Sequence, residues 1–321
     1  MEKSLFDRKV LTNFTRHFSL LKRLKIKTYR FAKASLFDTI FSDHHPNLVD
    51  FECTFGNGAH ENWFRSCHVP LQRFAVKNFR VESSTLNVLE NCCKDSLQTI
   101  KVDFCGDNDS HLIGRIFSTF HRLADVSMNI AECSALQDQP VLPHLEKLCV
   151  SHFSSSPSDS LTGFLKSYPQ LKELHLKRSI VDNYLVEKIA TMLPNLRSLS
   201  FSFGQFTEAI WMKLTSLRLE YFSPGFHIRW SVDDVRAFVR EMPSLQRLTV
   251  WNVNDGSDAE CSFLFKALRN DIRSSASNRQ LWISRDDGKY FLLDSSEQCT
   301  DMAIDKFIQV NKRSINRILH C

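Results

Sequence analysis

The chain has 321 residues, of which 43% are apolar and 24% are charged, as in an ordinary folded protein. Its net charge of +5 is small and is not concentrated in any block, so we expect neither a nucleic-acid-binding protein nor a membrane-bound one. No apolar stretch resembles a membrane span or a signal-peptide core, so we expect a cytoplasmic or nuclear location, or both. The ten irregularly spaced cysteines then predict reduced, buried thiols.

One short phrase recurs along most of the chain: leucine, two residues, an apolar residue, one residue and another apolar residue. The ten copies that we identify begin at Leu21, Leu48, Leu71, Leu97, Leu123, Leu145, Leu171, Leu196, Leu214 and Leu245. The spacing between successive starts is similar along the chain, except for a short step from Leu196 to Leu214 and a long one from Leu214 to Leu245. A period in the twenties with this phrase is typical of a leucine-rich-repeat solenoid.

The first residues already follow the pattern of a repeat. Val10, Phe14 and Phe18 have the spacing of one helix face and lead into Leu21, so we expect the chain to start in the helical half of a repeat. Within each phrase, polar and apolar residues alternate, as in the stretch from Leu171 to Leu176, which predicts a strand with one buried face.

Between phrases the apolar residues follow a helical spacing instead. Three such sets are Ile113, Ile116, Phe117 and Phe120, then Leu161, Phe164, Leu165 and Tyr168, then Val235, Phe238, Val239 and Met242. Strands pair at about 4.8 Å whereas helices pack at about 8–10 Å, so an array of these units must bend. The predicted fold is therefore α/β, a right-handed horseshoe with a parallel concave sheet and convex helices.

The carboxyl-terminal part departs from the repeat. The stretch 281–292 has two apolar runs around Asp287-Gly288, a strong hairpin signal, and an amphipathic helix is predicted from about Gln298 to Leu319. We therefore predict two domains, a solenoid of about ten repeats over residues 1–277 and a cap over residues 278–321.

The stretch Ser179–Leu196 resembles the long, helix-containing repeats of ribonuclease-inhibitor-like proteins, and most closely those of F-box proteins. Asn91-Cys92-Cys93-Lys94-Asp95-Ser96-Leu97 resembles the repeat junctions of the same group, and the resemblance covers roughly residues 5 to 283. Two features of that group are missing. No Leu-Pro start of an F-box precedes Leu21, and aromatic residues replace the asparagine or cysteine that often occupies the ninth position of a phrase; among them are Tyr29, Phe79, Phe153 and Phe222.

No catalytic residue, metal ligand or cofactor is predicted. Cys53, His60, Cys67 and His68 lie close in sequence, but structural zinc sites favour tighter paired spacing, so packing in the core or at a junction is the better interpretation. Cys92-Cys93 is a possible reactive pair, but Cys93 falls at a helix-end position where a buried, inert thiol is expected. Neither a nucleophile elbow nor a phosphate-binding glycine loop is present.

The third, fifth and seventh residues of each phrase should line the hollow of the horseshoe, and over the ten phrases they comprise ten basic and six acidic residues. From these positions we predict a set of partner-binding residues: Arg23, Lys25, Lys27, Arg73, Lys77, Lys101, Arg247 and Trp251. Trp251 beside Arg247 has the composition of a binding hot spot, although the hairpin at 281–292 could equally cover it. Asp50 and Glu52 interrupt the basic positions.

We therefore expect a module that binds a protein partner through the concave face. By resemblance, its role would be target selection for a cullin-type ubiquitin ligase; the alternative is a repeat scaffold or inhibitor with no ligase link. Because no F-box is recognisable, whether it is lost, divergent or truncated, we do not expect the ligase's adaptor subunit to bind this chain as given.

Overall fold

In the computed structural model, the chain forms two compact units, Met1–Lys147 and Leu148–Cys321. The structure describes the following residues: 20–27, 40–41, 45–55, 64, 66–103, 109–130, 132–152, 158–205, 208–225, 231–249, 267–268, 271, 281–284 and 290–293. Both units repeat the same succession of a strand, a connection that is helical in most repeats, and a strand beside the first.

The first unit contains a parallel sheet in which the strands follow one another in chain order. Its strands are β1 Arg23–Lys27, β2 Asp50–Thr54, β3 Arg73–Arg80, β4 Thr99–Asp103 and β5 Asp125–Ile130. Its helices are α1 Ser83–Cys93 and α2 Asp109–Thr119, followed by a single 3₁₀ turn at Cys133–Leu136. The 3₁₀ turn occupies the repeat from Leu123 to Leu145, the shortest predicted step in this unit, which leaves little room for a longer helix.

The register of the strands aligns the buried core residues of the first unit in one row. Phe51, Phe74, Ile100 and Val126 stand opposite one another on β2 to β5, and all four are fully buried. Because side chains alternate across a strand, the residues on either side of this row lie on the opposite sheet face. Helix α2 buries the predicted stripe of Ile113, Ile116, Phe117 and Phe120.

The second unit contains six further repeat strands and one antiparallel strand in the order β6-β7-β8-β9-β10-β11-β12. They are β6 Lys147–His152, β7 Glu173–Asp182, β8 Ser198–Gln205, β9 Tyr221–Ser223, β10 Arg247–Thr249, β11 Leu281–Ser284 and β12 Tyr290–Leu293. The antiparallel pairing of β11 with β12 confirms the predicted hairpin strands, whereas its turn and the helix predicted after it lie outside the described residues.

The helices of this unit are α3 Ser158–Leu165, α4 Asn183–Met192, α5 Glu208–Leu214 and α6 Val232–Glu241. Both predicted stripes, from Leu161 to Tyr168 and from Val235 to Met242, are buried. The ring of Phe238 on α6 packs 5.3 Å, centroid to centroid, from Phe222 on β9, which places the helix against the core face of the sheet. Helix α6 begins at a capping box, in which Ser231 and Asp234 satisfy each other's backbone N–H groups.

One predicted phrase is wrong. Nine of the first ten strands begin two positions after a predicted leucine, but β9 begins at Tyr221, two positions after Leu219. Leu214 instead ends α5, and together with Leu217 and Leu219 it is buried where the chain turns towards the strand, so these three leucines imitate the phrase. With the start moved to Leu219, the short and the long step disappear, and the spacing on both sides matches that of the other repeats. Phe222 is consequently a core residue of β9 and does not replace a loop asparagine.

An asparagine does lie within β3, near its end, one position earlier than the resembled repeats would put it. Asn78 has a left-handed backbone with φ of 57°, its side-chain Nδ2 donates to the carbonyl of Phe55 at 3.2 Å, and its backbone N–H donates to Oδ2 of Asp103 at 2.8 Å. Arg178, at the same phrase position of β7, has φ of 55°, and the strand register shifts at both places.

These elements establish the α/β leucine-rich-repeat fold that the sequence predicts. The predicted boundary between residues 277 and 278 stays a prediction, as does the helical segment predicted before Leu21, which lies outside the described residues. Within the described part of the chain, no helix has the length and apolar character needed to cross a membrane.

Candidate binding face

The face of each sheet opposite the core carries the third and fifth residues of every phrase. The alternation is visible in β2 and β5, where buried residues are flanked by partly exposed ones. Across β1 to β5 and across β7 to β9, the third residues form one row and the fifth residues a second row beside it. The two rows give each unit a regular polar surface held in place by the backbone of the sheet.

We call this surface in the first unit the charged face. Its rows across β1 to β5 are Arg23, Asp50, Arg73, Thr99 and Asp125, then Lys25, Glu52, Ala75, Lys101 and Ser127. Seven of these ten residues carry a formal charge. Along β1 to β3 the first row reads positive, negative, positive, so that the acidic strand β2 lies between two basic ones.

The opposite charges of the charged face are in contact. Arg73 donates from Nε to Asp50 at 3.1 Å and from a terminal nitrogen to Glu52 at 3.0 Å. On the other side of β2, Lys25 lies 2.7 Å from Glu52, and Arg23 lies 3.7 Å from Asp50. The two carboxylates of β2 therefore bridge three strands, and the residues that appeared in sequence to interrupt a basic surface neutralise it.

The ionisation of Glu52 reflects this arrangement. Burial opposes its negative charge, but the hydrogen bond and charge of Lys25, together with the charge of Arg73, outweigh burial and lower the pKa of the Glu52 carboxyl below its ordinary value. Only 12% of the Glu52 side chain is exposed, so water screens these contacts less than it would at an open surface.

Two further predicted binding residues have contacts of their own. Lys101 was expected to face solvent, but it is buried; it stands in register between Ala75 and Ser127, and its ammonium lies 3.7 Å from Asp125. Lys77 is partly exposed and contributes to the field that stabilises ionised Glu52. Lys27 belongs to β1, but the position of its side chain lies outside the described part of the structure.

The polar surface of the second unit differs in chemistry, and we call it the hydroxyl face. Its rows across β7 to β10 are Glu173, Ser198, Tyr221 and Arg247, then His175, Ser200, Ser223 and Thr249. Five of these eight side chains carry a hydroxyl group, and only Glu173 and Arg247 carry a formal charge, with opposite signs. Tyr221 was missed in sequence because the false phrase at Leu214 placed Ser216, Arg218 and Glu220 on this surface instead.

A serine, a histidine and a glutamate meet on this face. Nδ1 of His175 lies 2.7 Å from the hydroxyl oxygen of Ser200, and Nε2 of His175 lies 3.6 Å from a carboxylate oxygen of Glu173. The trio resembles a nucleophile, a base and a carboxylate, but acyl transfer also requires N–H donors for an oxyanion. Ser200 is in a strand paired on both sides, where the ladder engages the backbone N–H groups, so we interpret the trio as a polar network of the sheet.

Arg247 differs from the basic residues of the charged face, because no described carboxylate contacts it. Its side chain is partly exposed and makes no hydrogen bond or ion pair with any residue that the structure describes. In register, it stands beside Tyr221 on β9 and Trp282 on β11. Trp251, its predicted companion, lies outside the described residues. Both predicted alternatives for Trp251, a binding hot spot and a residue covered by the hairpin, therefore stay open.

The cysteines that the structure describes are free thiols, and all of them except Cys92 are buried, as the sequence predicts. Cys53 and Cys93 are fully buried, and Cys67 donates its thiol to the carbonyl of Val69 at 3.3 Å. Burial, with a smaller contribution from Glu52, raises the pKa of the Cys53 thiol to about 12. Cys92 donates to the carbonyl of Cys67, and burial raises its pKa to about 11. None of the described His, Cys, Asp and Glu residues forms a group that could hold a metal ion.

No protein-family model matches the chain, and no curated protein matches its sequence. Solved structures that align with it include an internalin of Listeria monocytogenes, with 11% identity over 88% of this chain and 83% of that one, at a TM-score of 0.39. A leucine-rich-repeat protein of Leptospira interrogans aligns with 12% identity over 84% and 98% of the two chains, at a TM-score of 0.31. The Toll–Spatzle complex of Drosophila aligns with 13% identity over 78% of this chain and 30% of that one, at a TM-score of 0.36.

Proposed function

We propose that this chain is a recognition module that binds a partner protein through the polar face of its repeat sheet. One observation carries the proposal: third and fifth phrase residues stand in register on neighbouring strands, so that a fixed two-dimensional array of polar side chains is presented on one face. A surface ordered in advance loses little conformational entropy on binding, which favours recognition. Tyr221 and Arg247 add the residue types that dominate binding energies at protein interfaces.

The test is capture of binding proteins by the full chain, comparing two variants that add the same charge at different places. Ser198→Arg adds a large cation to the hydroxyl face, and Met212→Arg adds one to the exposed surface of α5, where Met212 is 49% exposed. A partner retained by the wild type and Met212→Arg but lost with Ser198→Arg supports recognition by the face. A partner lost equally with both variants, or with neither, contradicts recognition by the hydroxyl face.

The larger role that we propose is target selection for a cullin-type ubiquitin ligase, supported by the resemblance of residues 179–196 to the repeats of F-box proteins. The alternative is a scaffold or inhibitor without a ligase. The same capture experiment separates them: recovery of cullin-type ligase subunits with the partner favours the first, and a partner recovered without them favours the second. Adding purified adaptor to this chain should give no binding in calorimetry, and micromolar affinity would show that an F-box is present after all.

A further inference from the structure

Arg73 in the first unit and Arg247 in the second both occupy the third position of a phrase, but their electrostatic surroundings differ. Arg73 donates hydrogen bonds to both Asp50 and Glu52. Arg247 has the same place on β10, but its neighbours in register are Tyr221 and Trp282, neither of which is acidic. Because the two positions are structurally equivalent, the difference arises from the neighbouring strands.

Two acidic residues that the structure describes close to or on the hydroxyl face do not neutralise Arg247. Glu220 precedes β9, but its carboxylate lies 2.8 Å from Arg197. Glu173 is on β7, three strands from β10, and contacts His175 at 3.6 Å. With neighbouring strands about 4.8 Å apart, Glu173 is on the order of 14 Å from Arg247 along the sheet, beyond an ionic contact. The guanidinium is thus a partly buried positive charge that the described residues leave uncompensated.

Two described residues near Arg247 carry hydroxyl groups, which can donate hydrogen bonds. Tyr221 is its direct neighbour in register, and Ser223 is two residues further along β9 on the same face. Adjacent strands place such neighbours within about 5–8 Å of each other, close enough for one small anion to reach the guanidinium and a hydroxyl together. Guanidinium binds a carboxylate through two parallel N–H···O bonds, and hydroxyl groups can donate to its remaining lone pairs.

We propose that Arg247 receives a carboxylate of an acidic side chain on the partner protein, with Tyr221 and Ser223 as supporting donors. This proposal rests on the function proposed above and names the chemistry of the partner at one point. It assigns the attraction to the hydroxyl face, because all four basic residues of the charged face already have carboxylates of this chain as partners. Arg247 is therefore distinguished by the lack of a counter-charge among the described residues, and not by the number of basic residues around it.

The test uses a library of random 12-residue peptides as the probe, selected for binding to the immobilised full chain. Affinities of the selected peptides are then measured for the wild type, Arg247→Gln, Ser198→Arg and a matched control, Arg218→Gln. Arg218 is an exposed arginine in the turn before β9, outside the rows of the hydroxyl face, so its replacement removes the same unit of charge. In the peptides, each Asp or Glu is replaced in turn by its amide.

Arg247→Gln should lower the affinity for the selected peptides by about tenfold or more, because a hydrogen bond between charged groups is lost. One peptide amide should produce the same loss, and combining it with Arg247→Gln should add little, because each change removes the same contact. Arg218→Gln should change affinity less than about twofold, in line with a surface position.

Different failures identify different errors. Peptides that lose binding to Ser198→Arg but not to Arg247→Gln, or lose it equally to Arg218→Gln, overturn the carboxylate site and leave the binding face intact. Selected peptides without an acidic residue overturn it likewise. A library that yields no binder, or only binders indifferent to Ser198→Arg, overturns the proposed function and this inference with it.

Discussion

Replacing Arg73 by glutamine should destabilise the first unit, whereas the same replacement at Arg247 should have almost no effect on stability. Arg73 makes two hydrogen bonds to carboxylates, at 3.1 and 3.0 Å, and its side chain is 27% exposed. Exposed ion pairs contribute up to about 1 kcal/mol, and breaking a buried one costs about 3–5 kcal/mol. The contacts of Arg73 are half-buried, and Lys25 and Arg23 would remain beside the carboxylates in the variant. We therefore expect the free energy of unfolding to fall by about 2 kcal/mol.

Urea unfolding followed by circular dichroism would measure this difference, and hydrogen exchange across β2 to β4 would localise it. A loss of about 2 kcal/mol corresponds to exchange about thirty-fold faster in that segment. Arg247→Gln should stay within about 0.5 kcal/mol of the wild type. Equal stability of Arg73→Gln and wild type, or equal destabilisation by the two variants, would refute the assignment of paired and unpaired arginines.

The effect of Arg73→Gln should also depend on pH in a defined direction. A carboxyl group whose pKa is lower in the folded state stabilises the fold above its unfolded pKa, and this contribution disappears as the pH falls through the folded value. The pKa of Glu52 is lowered from 4.5, so the contribution is complete at neutral pH and declines below about pH 4.5. The difference between wild type and Arg73→Gln should therefore shrink between pH 7 and pH 3; a constant difference would show that Arg73 acts by packing alone.

Three other changes test the fold. Leu174→Asp places a carboxylate at a fully buried core position of β7 and should cost at least about 3 kcal/mol; melting together with the wild type would mean that the sheet faces are assigned in reverse. Gly225→Ala should destabilise the protein by about 1–3 kcal/mol, since the φ of Gly225 is +83° and an added Cβ would lie 2.6 Å from the carbonyl oxygen of Ser202. Gly163→Ala in α3 should instead stabilise it by up to about 1 kcal/mol, because nothing lies within 4 Å of the added carbon. Thermal unfolding that ranks the two variants the other way would contradict this geometry. Iodoacetamide at pH 8 should leave Cys53 unmodified in the folded protein, because its pKa is about 12, and mass spectrometry that finds rapid alkylation there without unfolding would contradict its burial.

Periodicity in the sequence was sufficient to predict the strands and the helical stripes, because each repeat carries its own local signal. It failed at Leu214, where the end of α5 and the following turn bury three leucines at a spacing that imitates a strand phrase. The error was detectable in principle, since the steps on either side of Leu214 depart from all the others, and a start at Leu219 restores a regular spacing.

The candidate site was harder to predict because its properties depend on which residues stand opposite one another. The sequence shows that Arg73 and Arg247 occupy the same position of their phrases. Only the strand register shows that Arg73 stands beside Asp50, whereas Arg247 stands beside Tyr221. Counting charges along the chain therefore selected basic residues already bound by carboxylates of the chain itself. Lys101 is the clearest case, because it is buried next to Asp125 on the neighbouring strand.

The alternation of charge along β1, β2 and β3 also bears on how such a repeat protein can evolve. Repeat arrays commonly gain or lose whole units by recombination, and the new neighbours must tolerate each other. Deleting the single repeat that contains β2 would bring Arg23 opposite Arg73, and like charges at opposed positions of a sheet repel each other. The residues of β9 on this face are uncharged, so loss or duplication of the repeat that contains β9 creates no such conflict. Insertions and deletions of repeats should therefore be tolerated in the second unit more readily than in the first.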